Sequence, residues 1–222
     1  TYNREHCIGR ALKSVIDQTF QDWELIIIDN ASRDRSLEII KSFNDKRISV
    51  LNINNNGIIA KSRNMGLKHS KGKYIALLDS DDWWHQEKLQ FSIKRLDEGF
   101  DLVYHDMYEV RSAKLSNSKF RRVRTRNLYQ PVFSDLLKNG NGIINSSVIL
   151  NREILEKING FNELPNLVGT EDFDGWIRIA LLTEKFSRIN RCLGYYWAGG
   201  GNMTKPSRQL ENIETIGRIY KE

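Results

Sequence analysis

The sequence predicts an α/β protein whose mostly parallel central sheet is flanked by helices, and three observations predict it. Short apolar runs that read as strands buried on both faces alternate with stretches of helical periodicity through the first half of the chain. The run Tyr74-Ile-Ala-Leu-Leu-Asp79-Ser-Asp81-Asp82 stops abruptly in three carboxylates, as at the C-terminal edge where open α/β sheets bind ligands. The chain of 222 residues, 40% hydrophobic and 28% charged, can bury a sizeable core as an ordinary globular protein does.

In chain order, Ile8, Ala11, Leu12, Val15 and Ile16 fall on one face of a first helix. Glu24–Ile28 is a buried strand closed by Asp29-Asn30-Ala31-Ser32, and Ser32 is a reasonable N-cap for a helix that turns Leu37, Ile40 and Phe43 inward. A short strand at Arg47–Leu51, a helix at Ile58–Lys68 and the strand at Tyr74–Leu78 follow. A helix at Gln86–Glu98 and a strand at Phe100–His105 continue the alternation, which breaks down after Tyr108. The second half offers helices near Phe133–Lys138 and Arg152–Ile158 and a strand at Ser147–Leu150. Phe173, Trp176, Ile177, Ala180 and Leu181 then line a helical face that Thr170 can cap, and an aromatic strand ends in Gly199-Gly-Gly201.

Charge and cysteine usage narrow the class of partner. The net charge of +6 favours an anionic partner. Seven basic residues and no acidic one lie between Arg111 and Arg126. That strip reads as a solvated mobile loop, or as a contact with phosphates or an anionic membrane face. A nucleic-acid groove is disfavoured, because only Phe120 interleaves the charges. Cys7 and Cys192 stand apart without a CxxC partner, which fits a reducing compartment. No apolar run approaches the roughly 18 residues that span a bilayer.

Two acidic clusters are the candidates for chemistry. Carboxylates as close as Asp79, Asp81 and Asp82 repel one another, and a divalent ion such as Mg2+ or Mn2+ with a bound phosphate would let them ionise together. The alternative is a solvated turn ahead of a helix. Glu171 and Asp172 either complement a helix dipole or place a general base in a cleft.

Together these segments resemble the family 2 glycosyltransferases, inverting enzymes of the GT-A fold. The resemblance rests on an ordered set: Thr1-Tyr-Asn-Arg4, Glu24–Asp34, Gly57–Gly66 with Arg63-Asn64, Lys71–Asp82, Asn159–Glu163 and Glu171–Arg178. It implies a single domain over 1–222, with a nucleotide-binding half at 1–108 and an acceptor-binding, catalytic half at 109–222. It implies that Thr1, Tyr2, Asn3 and Asp29 hold the nucleotide of the donor, with Arg63 nearby, and that Ser80 belongs to the same site. Asp79 would meet the ribose or the metal's water shell, and Asp81 would bind Mg2+ or Mn2+ directly. Asp172 would take the acceptor's proton, with Trp83 and Glu171 on the acceptor side. The donor expected is a nucleoside diphosphate sugar, a UDP-sugar first among them, and the acceptor a glycan or lipid-linked glycan. The expected place is the cytoplasm, with a peripheral contact at the inner membrane face through Arg111–Arg126.

Two departures from the family pattern stand out. Its first strand has no counterpart, so the chain is expected to be a fragment, and no histidine follows the final aromatic strand. His6, His69, His85 and His105 are expected in structural or surface roles. Three rivals remain: an Asp-nucleophile phosphatase, an inactive nucleotide- or sugar-binding module, and a dinucleotide-dependent dehydrogenase. The phosphatase wants a small hydroxyl residue where Trp83 stands, and the dehydrogenase a GxGxxG after a strand. Presence of both acidic clusters speaks against the inactive module.

Overall fold

The computed structural model describes residues 1–112, 121–199 and 214–220. Leu25–Asp29 (β1) and Ile48–Asn52 (β2) pair in parallel, with Leu25 opposite Ile48 and Asp29 opposite Asn52. The helices Ile8–Ile16 (α1) and Ser36–Ser42 (α2) bury Ile8, Leu12 and Ile40 against Ile27 of this pair. Each such side chain taken from water contributes about 1.5–3 kcal/mol. The helix Ile59–His69 (α3) packs beside β1.

The remaining strands form a second, curled sheet: Tyr74–Ala76 (β3), Trp83–Trp84 (β4), Leu102–Val110 (β5), Arg121–Val123 (β6), Ile149–Asn151 (β7) and Phe186–Trp197 (β8). Their order is β3-β7-β5-β8-β4, with β6 added to the later part of β5. Only β5–β8 runs parallel there, while β3–β7, β5–β7, β4–β8 and β5–β6 are antiparallel. The α/β class is therefore as expected, but the sheet is mixed rather than mostly parallel. An apolar run reveals that a strand is buried on both faces, not which way its neighbour points. The edges of β1 and β3 face one cavity, and no described strand lies between them.

The main core joins the sheet to the helices Val132–Asn139 (α5), Arg152–Lys157 (α6) and Glu171–Ala180 (α7), with Leu102, Leu136, Leu150, Leu155 and Trp176 at its centre. The helix Lys88–Asp97 (α4) covers the other face through Leu89 and Leu96.

Two capping expectations fail. Ser32 caps no helix; its hydroxyl accepts from Asn3 N at 3.0 Å, and α2 begins at Ser36, whose amide donates to Asp34 Oδ1. Thr170 precedes α7, but its hydroxyl donates to Leu167 O instead of capping the helix.

The basic strip also differs from the expected loop where it is described. Arg121–Val123 is a strand, Arg122 and Arg188 share the fully buried Asp106, and Arg126 pairs with Asp135. Their carboxylate partners come from β5 and α5, so spacing within the strip gave no sign of them. Residues 113–120 of the strip lie outside the described residues. Both cysteines are free, Cys7 buried and Cys192 partly so. Among the described residues no helix is long and apolar enough to cross a membrane.

Candidate active site

Five chain segments end at one cleft, the open end of a cavity of about 1230 Å3. They are the start of the chain at Thr1-Tyr2, the turn after β3, α3, the beginning of α7 and the end of β8.

Thr1 and Tyr2 line one side of the cleft, whereas Asn3 and Asp29 do not, and Asp29 at the end of β1 is wholly buried. Its Oδ2 accepts from Ser32 N at 2.9 Å, while its Oδ1 and the Thr1 hydroxyl are buried without a partner among the described residues. The Thr1 backbone continues alongside β1, donating to Ile28 O and accepting from Asn30 N. Asn3 takes a left-handed conformation at φ 48°, which its short polar side chain tolerates, and its Oδ1 accepts from Arg33 N. Tyr2 is exposed at the rim.

The acidic turn follows β3, which was expected to be buried on both faces but has Tyr74 and Ile75 half-buried and Ala76 exposed along the cavity. Asp79 Oδ1 accepts from Asn145 Nδ2 at 3.0 Å and Arg63 Nη2 at 3.2 Å, and its amide donates to Ser146 Oγ. Asp82 is buried and accepts from Trp197 N at 2.8 Å. Asp81 is held more loosely, with Arg4 at 3.7 Å, while Arg10 donates to its backbone carbonyl at 3.2 Å. Burial and the neighbouring Asp79 push the Asp81 carboxyl above its ordinary value and the Asp82 carboxyl well above it. Ser80 lines the cleft between them.

Arg63 joins this turn to the second cluster, its Nη1 donating to Glu171 Oε1 at 2.6 Å while Nη2 reaches Asp79. Burial would favour loss of its proton, but Asp79, Glu171 and Asp172 outweigh burial and hold it charged. The neighbouring Asn64 explains why the two segments meet. Its side chain accepts from Phe161 N at 2.8 Å and donates to Phe161 O at 2.7 Å, docking the loop that precedes α7 onto α3. Gly160 is left-handed at φ 70°, and a side chain there would strike the Asn64 amide.

Glu171 is buried, with Oε2 accepting from Gly169 N at 2.6 Å. Asp172 keeps part of its surface open to the cleft, and only its Oδ1 has a partner among the described residues, the amide of Phe173. Burial first, then the Glu171 charge, raise its carboxyl to about 7, with Arg63 opposing. A carboxylate poised there at neutral pH is suited to proton transfer. Asp174 faces away, tied to Arg178 and Tyr220.

Trp83 was expected on the acceptor side of the cleft, and the structure buries it. Trp83, Trp84 and Trp176 are only 7%, 6% and 0% exposed, too buried to offer a ring face to a ligand. Trp83 lies between Arg10, at 3.7 Å, and Tyr195, at 5.0 Å, outside the cleft lining. Trp197, half-buried, lines the cleft instead. His105 is buried in β5, His6 and His69 are exposed, and none of the three lines the cleft.

Sequence reasoning missed Arg4, Arg10, Asn145 and Trp197. Asn145 had a faint signal in Asn139-Gly-Asn-Gly142-Ile-Ile-Asn145, a polar stretch beside a strand; Trp197 had none beyond its aromatic neighbours.

The acidic turn fits a hard divalent cation in kind. Five acids, Asp79, Asp81, Asp82, Glu171 and Asp172, gather with three arginines, Arg4, Arg10 and Arg63, so acidic groups outnumber cations there. Among the described residues no three or more His, Cys, Asp or Glu groups gather as a complete cage. Mg2+ and Mn2+ sites take one or two carboxylates from the protein and their remaining ligands from substrate phosphates and water.

Comparison with known proteins gives the family and the fold. The model of glycosyl transferase family 2 matches residues 1–158. An Escherichia coli protein, the UDP-Glc:alpha-D-GlcNAc-diphosphoundecaprenol beta-1,3-glucosyltransferase WfgD, is 34% identical over 190 residues, 86% of this chain and 70% of its own. Staphylococcus aureus TarS, solved with UDP-GlcNAc, superposes with a TM-score of 0.74 at 22% identity, covering 91% of this chain and 58% of that one. The mannosyltransferase PcManGT of Pyrobaculum calidifontis, solved with GDP-Man and Mn2+, superposes with a TM-score of 0.66 at 18% identity. It covers 88% of this chain and 54% of its own. At these identities the two structures speak for the fold.

Proposed function

Because the chain belongs to glycosyl transferase family 2 and is a GT-A glycosyltransferase using nucleotide-sugar donors, we propose that it transfers the sugar of a UDP-sugar, with a divalent cation, to a hydroxyl of a lipid-linked glycan. The observation that carries this reading is the Arg63 bridge, which sets the Asp79–Asp82 turn and the Asp172 carboxylate against one cleft.

Each residue follows from its surroundings. The unpaired Asp29 Oδ1 and Thr1 hydroxyl suit the N–H and carbonyl edge of uracil, since an unmet buried polar atom costs about 1–3 kcal/mol. Asp81, with Asp79 beside it, would hold Mg2+ or Mn2+, which supplies positive charge to the leaving diphosphate. Arg4 adds charge on the same side. Asp172 takes the acceptor's proton as the hydroxyl attacks the anomeric carbon opposite the diphosphate. One displacement inverts the configuration. Glu171 is tied to Arg63 and the Gly169 amide, so it orients the site and raises the basicity of Asp172.

The acceptor is proposed from the relative WfgD, whose name specifies a diphosphoundecaprenol-linked sugar. Such an acceptor implies a cytoplasmic enzyme resting on the inner membrane face. Arg111, Arg121 and Arg124 are exposed, the first two beside Glu109, and are suited to that contact; Arg122 and Arg126 are committed to internal ion pairs. Vesicles containing anionic lipid should pellet the protein, and reversing these three charges should release it. Equal pelleting would reject the contact. For the reaction, nucleotide sugars offered with Mn2+ should show turnover of a UDP-sugar that stops on chelation. Turnover restricted to donors with another base would overturn the base assignment.

A further inference from the structure

Asp82 has no part in the reaction as described, yet it is 2% exposed and sits one residue from the expected metal ligand. Its Oδ1 accepts the backbone N–H of Trp197 at 2.8 Å, across 115 residues of sequence. The Ser146 side chain, whose oxygen also accepts the Asp79 amide, is its other partner. Trp197 is held on further sides. The Arg10 guanidinium lies 5.0 Å from its ring and 3.7 Å from that of Trp83. Gly199 approaches so closely that a side chain there would collide with the indole. The Trp197 ring is half-buried and forms part of the cleft wall with Tyr196 and Asp172. An amphipathic ring held by several contacts and lining the cleft suits an apolar face with hydroxyls at its rim, which is the shape of a pyranose.

We propose that Asp82 is a positioning residue whose carboxylate fixes the Trp197 backbone, setting the indole as the cleft wall against which a pyranose ring lies. The sugar role rests on the glycosyltransferase reading above; the fastening of Trp197 does not. Donor and acceptor both contain pyranoses, and separate Michaelis constants distinguish them. Asp82 thus acts through Trp197, and the acidic turn divides into a cation-binding part, Asp81, and a wall-fixing part, Asp82.

The test uses 5-fluorotryptophan-labelled protein, with the Trp197 resonance identified by its loss in Trp197→Phe. Without substrate, Asp82→Ala should move or broaden that resonance, whereas Asp82→Asn, which keeps an acceptor oxygen, should leave it in place. In turnover, Asp82→Ala and Trp197→Ala should each raise the KM for one sugar substrate about tenfold. Whichever KM rises identifies the sugar as donor or acceptor. Combining the two substitutions should add little to Trp197→Ala alone, as expected of residues acting through one another. Binding of UDP with Mn2+ should stay within about twofold in both. An unmoved resonance in Asp82→Ala would overturn the proposal. So would loss of UDP and Mn2+ binding in Asp82→Ala but not in Trp197→Ala, which would make Asp82 a metal ligand. If no nucleotide sugar is turned over by the parent protein, the resonance still decides the fastening, and the catalytic reading fails separately.

Discussion

The Asp79–Asp82 turn and the first turn of α7 look alike in sequence, each with three carboxylates in four residues. The fold treats them alike in one respect. In the turn, Asp79 is held by Arg63 and Asn145 and Asp82 by Trp197, leaving Asp81 with a loose partner. In the helix, Glu171 is held by Arg63 and Gly169 and Asp174 by Arg178 and Tyr220, leaving Asp172 open. They differ in what surrounds the remaining carboxylate. Asp81 stands among other acids with arginines nearby, an arrangement that recruits positive charge. Asp172 lies by the buried Glu171, with its carboxyl raised to about 7, an arrangement that holds and releases a proton. On the proposed mechanism the same residue type serves as charge anchor or base according to its neighbours.

The largest break in that comparison is Asp172→Asn. Transfer should fall about a thousandfold, within the range that general bases contribute. Unchanged turnover would return Asp172 to a helix-start role. Arg63→Met strikes both clusters together, because it leaves Asp79 and Glu171 without their shared cation. Loss of about 3 kcal/mol of stability is expected by denaturant titration, as for a buried pair broken on one side. A loss under about 1 kcal/mol would mean the bridge is worth no more than a surface pair.

The smallest effect sharpens the proton side. Because the Asp172 pKa is raised, the carboxyl retains its proton to higher pH, so activity should be lost as pH falls through about 7. Glu171→Gln removes the neighbouring negative charge and should move that inflection to lower pH. An inflection that stays put would assign the acid limb to another group.

Both clusters were legible because their spacing is local: three acids in four residues, the first set after an apolar run, the second opening an amphipathic helix. What joins them was not. Arg63 was expected near the nucleotide, and its partners lie 16 and 108 residues away. Asn145 reaches the acidic turn from a short 3-10 turn ahead of β7, and Trp197 from the end of β8, through pairings that no periodicity specifies. Trp83 was expected on the acceptor side for its position beside the acids. Strand alternation turned it instead onto Tyr195, and Trp197 occupies the wall. Likewise the mixed sheet arises from where β7 and β8 insert, a choice of direction that apolar runs do not encode.

The division of labour between the two remaining carboxylates is tested most directly by calorimetric titration of UDP with Mn2+ into Asp81→Ala and Asp172→Asn in parallel. Asp81→Ala should bind about 10- to 100-fold more weakly than the parent, the loss typical of weakened metal binding. Asp172→Asn should bind within about twofold. Equal affinity in both variants would contradict the assignment of Asp81 to the diphosphate and its cation.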